Sequence, residues 1–506
     1  MFNWIRKGVS KLDSMLNKPL STESIKWLEL EITEWLESKE RKKQLDGERY
    51  YKGDQDITKA KRMVIGEDGK LVEVDNLPNH KIVDNQYKKL VNQKVNHLVG
   101  KPFIVDTENE AYKDRLEKQY FNKKFMKLLK SVCKDGQNGG ISYLYPYYEN
   151  NELKFRRFKS SEVKVYWKDA DHDEIDFFIH WYTETVRMNN GTKEDIEHVE
   201  VYTSDGVSYY IRKKGTLLFD DKKQQTTYLT RIEMDAEDNV LAEERLNFER
   251  IPLIPFKISD DELPLLNRVR SLQDGINTIV STFMNNMMEE PRNTILVLVN
   301  YDGQDLAEFR QNLAQYGVVK VRNDASGTGG DLRSLQVEVN SENWKAILEI
   351  FKKTIIQNGG GVDLTELRST GTPNQMNIQS MYYDIELDTN DTETEYQSAF
   401  EELLWFINFD LNYRGEGNFF DEDVDIIFNR DKLSDETSII DNLMKLKGTI
   451  SDEDIIKQLP FGDATKLIEN MKKQKEEEKA ELDDYSSTFK PQNNPLEPSS
   501  KQGDMQ

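Results

Sequence analysis

Apolar positions along this chain follow first a helical period, then an alternating one, then a helical one again. From about Ser21 to Arg49, IKWLELEITEWLESKERKKQL places Trp27, Leu28, Ile32, Trp35 and Leu36 along one stripe, which predicts an amphipathic helix. Ser21 or Thr22 suits its N-cap, with Glu23 and Ser24 in the first turn. GEDGKLVEVDNLPNHKIVD reads as a short hairpin and a proline-bearing loop. Ile82, Tyr87, Leu90, Val91, Val95 and Leu98 predict a second helix that Gly100 and Pro102 end, and YKDRLEKQYFNKKFMKLLKSVCKDGQ predicts a third. The period then falls to two. GISYLYPYY, LKFRRFK, VKVYW, DFFIHWYTE, HVEVYTSDGVSYYIR and TYLTRIEMD are predicted strands, with Asn190-Gly191 and Asp205-Gly206 suited to hairpin turns. Residues from about 20 to 250 are therefore expected to form an α+β module.

Between Arg250 and Asn412 long helical stretches alternate with glycine-rich hinges. A strand RIPLIPFK leads into a helix over about 261–289 that ends in Phe283, Met284, Met287 and Met288. Unbranched methionines on one face suit an adaptable subunit contact or a core face. A β-rich insert follows (ILVLVNYDG, GVVKV, RSLQVEV), then a helix WKAILEIFKKTIIQ, then the loop NGGGVDLTELRSTGTP. The last helix of the block, 373–412, opens on Thr372-Pro373-Asn374-Gln375, where threonine caps, proline takes the first helical position and Gln375 completes a capping-box spacing. At 1.5 Å per residue it would run roughly 57 Å. Its middle, ELDTNDTETEYQ, is polar on nearly all sides, with a kink expected near Thr389-Asn390-Asp391, and its end, FEELLWFINFDL, is aromatic and apolar. Such a helix suits a spine bridging layers of an assembly. Beyond it, VDIIFNRD predicts a strand, SDETSIIDNLMKLKG and SDEDIIKQLPF two short capped helices, and DATKLIENMKKQKEEEKAELDD a charged one. The residues after Tyr485 have a disordered composition.

Composition narrows the function. A chain of 506 residues with 37% hydrophobic residues, 22 Phe, 22 Tyr and 7 Trp builds real cores, with three or four modules expected. No apolar run nears the roughly 18 residues of a membrane span, so no membrane partner is expected. MFNWIRKGVSKL is amphipathic and mildly basic but lacks a signal-peptide core; it reads as a mobile arm or docking helix, with a membrane-surface adaptor as the other reading. The formal charge of −23, from 92 acidic and 69 basic residues, argues against a protein that grips DNA. An acidic surface facing DNA would repel phosphates and act as a low-friction wall.

Catalytic patterns are missing from the sequence. There is no G-x-x-x-x-G-K-[ST] loop, and GTGGD (Gly327–Asp331) and NGGG (Asn358–Gly361) lack the setting of a nucleotide fingerprint, so both read as flexible loops. His80, His97, His172, His180 and His198 are scattered, which disfavours zinc. DHDEID (Asp171–Asp176) could offer oxygen ligands to a divalent cation but lacks the glycine and terminal glutamate of a calcium loop. Cys133, the one cysteine, has helical spacing around it and reads as a buried structural thiol. Neither a cofactor nor a metal is expected. The alternative, a metal-dependent DNA-processing enzyme such as a nuclease, would have to use DHDEID.

The ordered set IPLIPF (251–256), NYDG (300–303), GVVKV (317–321), the loop 358–372 and LLWFINFDLN (403–412) resembles the portal proteins of long-tailed bacteriophages, the head-to-tail connector family. YYKGDQDI (50–57), PNHKIVDNQYKKLVNQKVNHLVGKPF (78–103), DGVSYYI (205–211) and FNRD…KGTISDEDIIKQLPF extend the resemblance over about 40–480. It implies a multidomain fold: an N-terminal arm and helix (1–39), an α+β wing (40–255), a stem helix (256–290), a clip (291–340) and a second stem helix (341–357). A tunnel loop (358–372), a long kinked wing-spanning helix (373–416), a helical crown (417–485) and a disordered tail (486–506) complete it. It implies a homo-oligomer, a ring of twelve or thirteen subunits at one capsid vertex of the virion, assembled in the host cytoplasm. Through that ring double-stranded DNA would pass non-specifically during packaging and ejection. Implied partners are the terminase large subunit, head–tail adaptor proteins, and major capsid and scaffolding proteins. Asp363, Glu366 and Arg368 are then candidates for the tunnel-loop tip, Lys352 and Lys353 for transient phosphate contacts, and Asn300, Tyr301, Asp302 and Gly303 for the clip.

Overall fold

The computed structural model describes residues 22–66, 69–149, 151–188, 191–220, 223, 227–234, 240–289, 295–299, 331–335, 341–363, 375–430, 440, 443–447, 451–457 and 467–476. The chain divides into two compact units, 1–366 with 381–431, and 367–380 with 432–506.

In the first unit the helix expected over Ser21–Arg49 is two helices, α1 (Thr22–Glu37) and α2 (Lys39–Lys52). Ser38 separates them. Its backbone is extended and its hydroxyl accepts the Arg41 N–H at 3.2 Å, so serine caps the second helix instead of continuing the first. The hairpin β1 (Met63–Ile65) and β2 (Leu71–Glu73) follows, then α3 (Gln86–Val99), capped by the Asn85 side chain on Lys88 N. Strand β3 (Ile104–Asp106) precedes α4 (Glu110–Arg115), a wide turn over Leu116–Tyr120, and α5 (Lys123–Gly139). The single helix predicted across this stretch is broken because the Asn122 side-chain Oδ1 accepts from Lys124 N and Phe125 N, starting a new helix there.

The predicted alternating segments form strands. In chain order these are β4 (Ile141–Glu149), β5 (Glu152–Lys159), β6 (Val163–Trp167), β7 (Ile175–Arg187), β8 (Lys193–Thr203), β9 (Gly206–Lys213), β10 (Thr216–Phe219), β11 (Leu229–Met234), β12 (Val240–Leu246) and β13 (Ile254–Lys257). β10-β9-β8-β7-β6 make an antiparallel sheet, β13-β4-β5 a second, and β11-β12 a ribbon. The turn between β8 and β9 is Ser204-Asp205, with Gly206 opening the next strand at φ +126°. On one face of the larger sheet Phe177, Ile179, Val199 and Val201 pack against Leu28 and Ile32 of α1, so α1 stands with the sheet.

The second core gathers α3, α5, β4 and β13 around the long helices α6 (Leu266–Glu289), α7 (Ser341–Asn358) and α8 (Gln375–Tyr413). The strands β14 (Ile295–Val299) and β15 (Asp331–Leu335) pair antiparallel between α6 and α7 in sequence; GVVKV lies outside the described residues. The 39-residue α8 runs without a break through Thr389-Asn390-Asp391, where a kink was expected. Its middle is not polar on all sides, since Ile385, Thr389, Thr392 and Tyr396 form a buried stripe. The two threonines fit because each donates its hydroxyl to a carbonyl: Thr389 to Ile385 O at 2.6 Å, and Thr392 to Ile258 O at 2.9 Å. At its aromatic end the fully buried Asp410 accepts from Tyr120 and Tyr148 at 2.6 and 2.7 Å and pairs with Arg414 at 2.8 Å. Strand β16 (Asp425–Ile427) pairs with β3, and Phe428 joins Phe103 and Phe400 in the core, so the chain stays with the first unit past residue 417.

In the second unit, α9 (Asp452–Lys457) begins where the Ser451 oxygen accepts Asp454 N at 3.2 Å. A helical segment over 467–476 meets it through Lys472–Glu453 and Lys475–Asp452 pairs at 3.2 and 2.9 Å.

Candidate functional site

The block singled out by the sequence is built on a ladder of side chains that periodicity did not reveal. Gln273, Asn277, Ser281 and Asn285 recur every four residues on α6, and all are buried. Each accepts a backbone N–H from the chain leading into α3: His80 at 2.7 Å, Ile82 at 3.0 Å and Asp84 at 3.0 Å before the helix, and Tyr87 at 2.9 Å in its first turn. For His80, Ile82 and Asp84 the match is geometric, because four helical residues rise about 6.0 Å and two extended residues about 6.6 Å. The helix thus serves as an edge on which a strand-like segment pairs, running antiparallel to it. Asn277 also donates to Gln55 Oε1, and Gln273 donates to Asp84 O at 2.8 Å. Buried amides stay because each has partners.

Beside the ladder, Arg49 and Arg270 share Asp46 and Asp56 at 2.6–3.0 Å, and Tyr50 donates to Asp274 at 2.7 Å. Burial opposes ionisation of Asp56, but hydrogen bonds from Arg270 and Arg49 outweigh it and hold the carboxyl at about 2.

α6 and α7 meet α8 at a second polar junction. α7 packs on α6, with Trp344 against Phe283 and the Phe351 ring over Gly275. After Asn358 the glycine run expected to be a flexible loop is instead buried packing. A Cβ on Gly359 or Gly361 would come within 2.7 or 2.4 Å of a Leu90 methyl, and one on Gly360 within 2.5 Å of Asp388 Oδ2. Gly360 has φ +57°, a left-handed turn that ends the helix. Val362 is buried, and its carbonyl accepts from Gln93 Nε2 at 2.9 Å. Lys94 of α3, buried, pairs with Asp388 of α8, which also takes Arg268 at 2.7 Å. Burial pulls the Lys94 ammonium below its ordinary value, and the Asp388 charge opposes that. Nearby, Arg430 joins Glu386 at 2.7 Å and also meets Glu393, fixing the chain after β16 to α8.

The predicted site residues fall as follows. Lys352 points at Asp84, 2.7 Å away, and is half-buried; Lys353 is exposed on α7. Asp363 ends the described part of the loop, half-buried. Glu366, Arg368, Asn300, Tyr301, Asp302 and Gly303 lie outside the described residues. Within DHDEID the acidic residues sit on a tight turn closed by Asp169, whose carboxylate accepts Asp173 N and Glu174 N at 3.0 and 2.7 Å. His172 stacks on Trp167 and meets Glu262 at 2.7 Å. Among the described residues, no three His, Cys, Asp or Glu side chains are grouped to hold a metal ion, and no helix is long and apolar enough to cross a membrane. Cys133 is buried, and burial pushes its thiol up to about 12, which suits packing rather than nucleophilic attack.

A family model described as phage portal protein, SPP1 Gp6-like, matches residues 32–481. The portal protein of Bacillus phage SPP1 is 25% identical over 424 residues, covering 82% of this chain and 80% of its own length. That of Clostridium phage phiCD119 is 22% identical over 442 residues, covering 85% and 92%. Among solved structures, a chain from the "Neck of empty GTA particle computed with C6 symmetry" is 12% identical with a TM-score of 0.39, covering 74% of this chain and 89% of that one. A chain from the "Neck of native GTA particle computed with C12 symmetry" is 11% identical with a TM-score of 0.38. One family match thus runs from within α1 to beyond α9, through the ladder and the junction of the long helices: the chain belongs to the phage portal protein family.

Proposed function

We propose that this chain is the subunit of a ring-shaped channel at one vertex of the virion capsid, through which double-stranded DNA is packaged and ejected. The observation that carries the reading is the portal family match over residues 32–481. The physical features agree with it. A net charge of −23 gives a wall that does not hold its cargo, because each phosphate–cation contact adds affinity and would slow passage. α6 and α7 act as the stem, and α8, about 58 Å long at 1.5 Å per residue, as the helix spanning the wing. The insert 291–340 is the clip, which docks the terminase and later the head–tail adaptor proteins. The segment after Gly361, with Asp363, Glu366 and Arg368, reaches the tunnel. Residues 417–485 contribute the crown. Twelve copies close the ring, and the chain itself performs no catalysis.

A phage unable to make this chain, grown while its other structural proteins are produced, is expected to yield capsids without DNA. Capsids that still fill to wild-type extent would refute the reading.

A further inference from the structure

We propose that a basic groove along α3 receives the outer face of α8 from a neighbouring copy of this chain. The inference rests on the ring reading above and adds which surfaces meet. Over Gln86–Val99, α3 contains no acidic residue, and Lys88, Lys89, Asn92 and Asn96 are its exposed positions. These side chains rim a groove of about 530 Å³, and its lining includes the apolar Val362 and Ile385. The groove therefore offers cations and amides at its edge and an apolar floor, in a protein whose net charge is −23.

The complementary surface lies on the far side of α8. Tyr383 is 61% and Leu387 49% exposed, and Asp384 and Asp391 are exposed beside them. At about 100° per residue, these four stand roughly 160–260° around the helix from Ile385, which faces the groove. They cannot turn into the groove of their own subunit. Two apolar side chains flanked by carboxylates match an apolar floor rimmed by lysines, and the two surfaces lie on different sides of one molecule. A contact between them is head-to-tail, the kind that closes into a ring. Nucleic acid would satisfy Lys88 and Lys89 but leave Tyr383 and Leu387 uncovered, so the second copy is the better-fitting occupant. Lys88, held 5.4 Å over the Tyr51 ring, is pre-positioned for it.

The test uses the full chain in three forms: wild type, Lys88→Glu with Lys89→Glu, and Asp384→Lys with Asp391→Lys. Assembly is read by native mass spectrometry at low salt, where exposed charges are least screened. Each reversed pair alone is expected to raise the concentration for half-assembly more than about tenfold, because like charges then face each other across every interface. Mixed one to one, they are expected to assemble again, as alternating rings with even subunit numbers only. Matching thermal unfolding curves separate a surface effect from misfolding, and Lys88→Gln with Lys89→Gln replaces the reversed lysine pair if that one misfolds. Wild-type assembly by both reversed variants would overturn this inference and leave the ring standing. So would failure of two folded variants to rescue each other, or unchanged assembly with lowered DNA binding by the lysine variant. A wild-type chain that never assembles would overturn the ring reading itself.

Discussion

The ladder on α6 gives the most exacting test of the structural account. Asn277→Leu keeps roughly the volume of the side chain and removes its polar atoms. Asn277 is fully buried, accepts Asp84 N at 3.0 Å and Gln273 Nε2 at 3.1 Å, and donates to Gln55 Oε1. Gln273 keeps its bond to Asp84 O at 2.8 Å, so two groups lose their partners: the Asp84 N–H and the Gln55 carbonyl. Each orphaned buried group costs about 1.5 kcal/mol, for a loss of about 3 kcal/mol. The segment holds to the helix by four such contacts, so the loss is expected as local opening before global unfolding. Amide hydrogen exchange read over residues 80–87 should accelerate about a hundredfold, since each 1.4 kcal/mol is a factor of ten. Thr278→Ala, on the exposed side of the same helix, should leave exchange there unchanged. If Asn277→Leu also leaves it unchanged, the ladder does not hold the segment and the reasoning fails.

Two further outcomes follow from single contacts. Gly360→Ala must adopt φ +57° and place a methyl 2.5 Å from Asp388 Oδ2, so it should destabilise by about 2 kcal/mol or more. Gly53→Ala, at φ +94° with nothing within 4 Å, should cost only about 1 kcal/mol, and equal losses in melting temperature would contradict the packed glycine turn. Burial opposes charge on Glu200, yet the hydrogen bond and charge of His180 hold its carboxyl at about 2, against an ordinary 4.5. A depressed folded-state value contributes stability above the unfolded value and loses it as pH falls from about 4.5 to about 2. Glu200→Gln should therefore flatten the decline of melting temperature below pH 5, and an unaltered decline would remove that pair from the account.

The strands of the larger sheet were legible because alternation and one-sided burial coincide: Phe177, Ile179, Val199 and Val201 do face a core. The long helices were legible in type and nearly in extent, α8 to within two residues at each end. Breaks within helices were not. Strong helix formers run on past Ser38, and apolar residues at helical spacing flank Asn122 on both sides, so the pattern gave no sign that a polar side chain would cap a new helix there. The ladder escaped for a related reason. Gln273, Asn277, Ser281 and Asn285 look like a solvated face, and only the chain at 80–87, packed along them, makes them a buried one. A strict four-residue repeat of Gln, Asn, Ser and Asn along the helix was the available signal. The run Gly359–Gly361 read as freedom because sequence shows the absence of side chains but not the Leu90 and Asp388 atoms that require it. Asp410, inside an apolar aromatic stretch, takes Arg414 nearby but finds its hydroxyl partners Tyr120 and Tyr148 far away in sequence.

The central claim is that the function lies in a hole made by many copies. Cryo-electron microscopy of the purified full chain tests it most directly. The account predicts closed rings, twelve-fold, with a central channel wide enough for a DNA duplex and with α6 and α7 running along it. Single subunits at every concentration and salt, or closed assemblies without a channel, would contradict it.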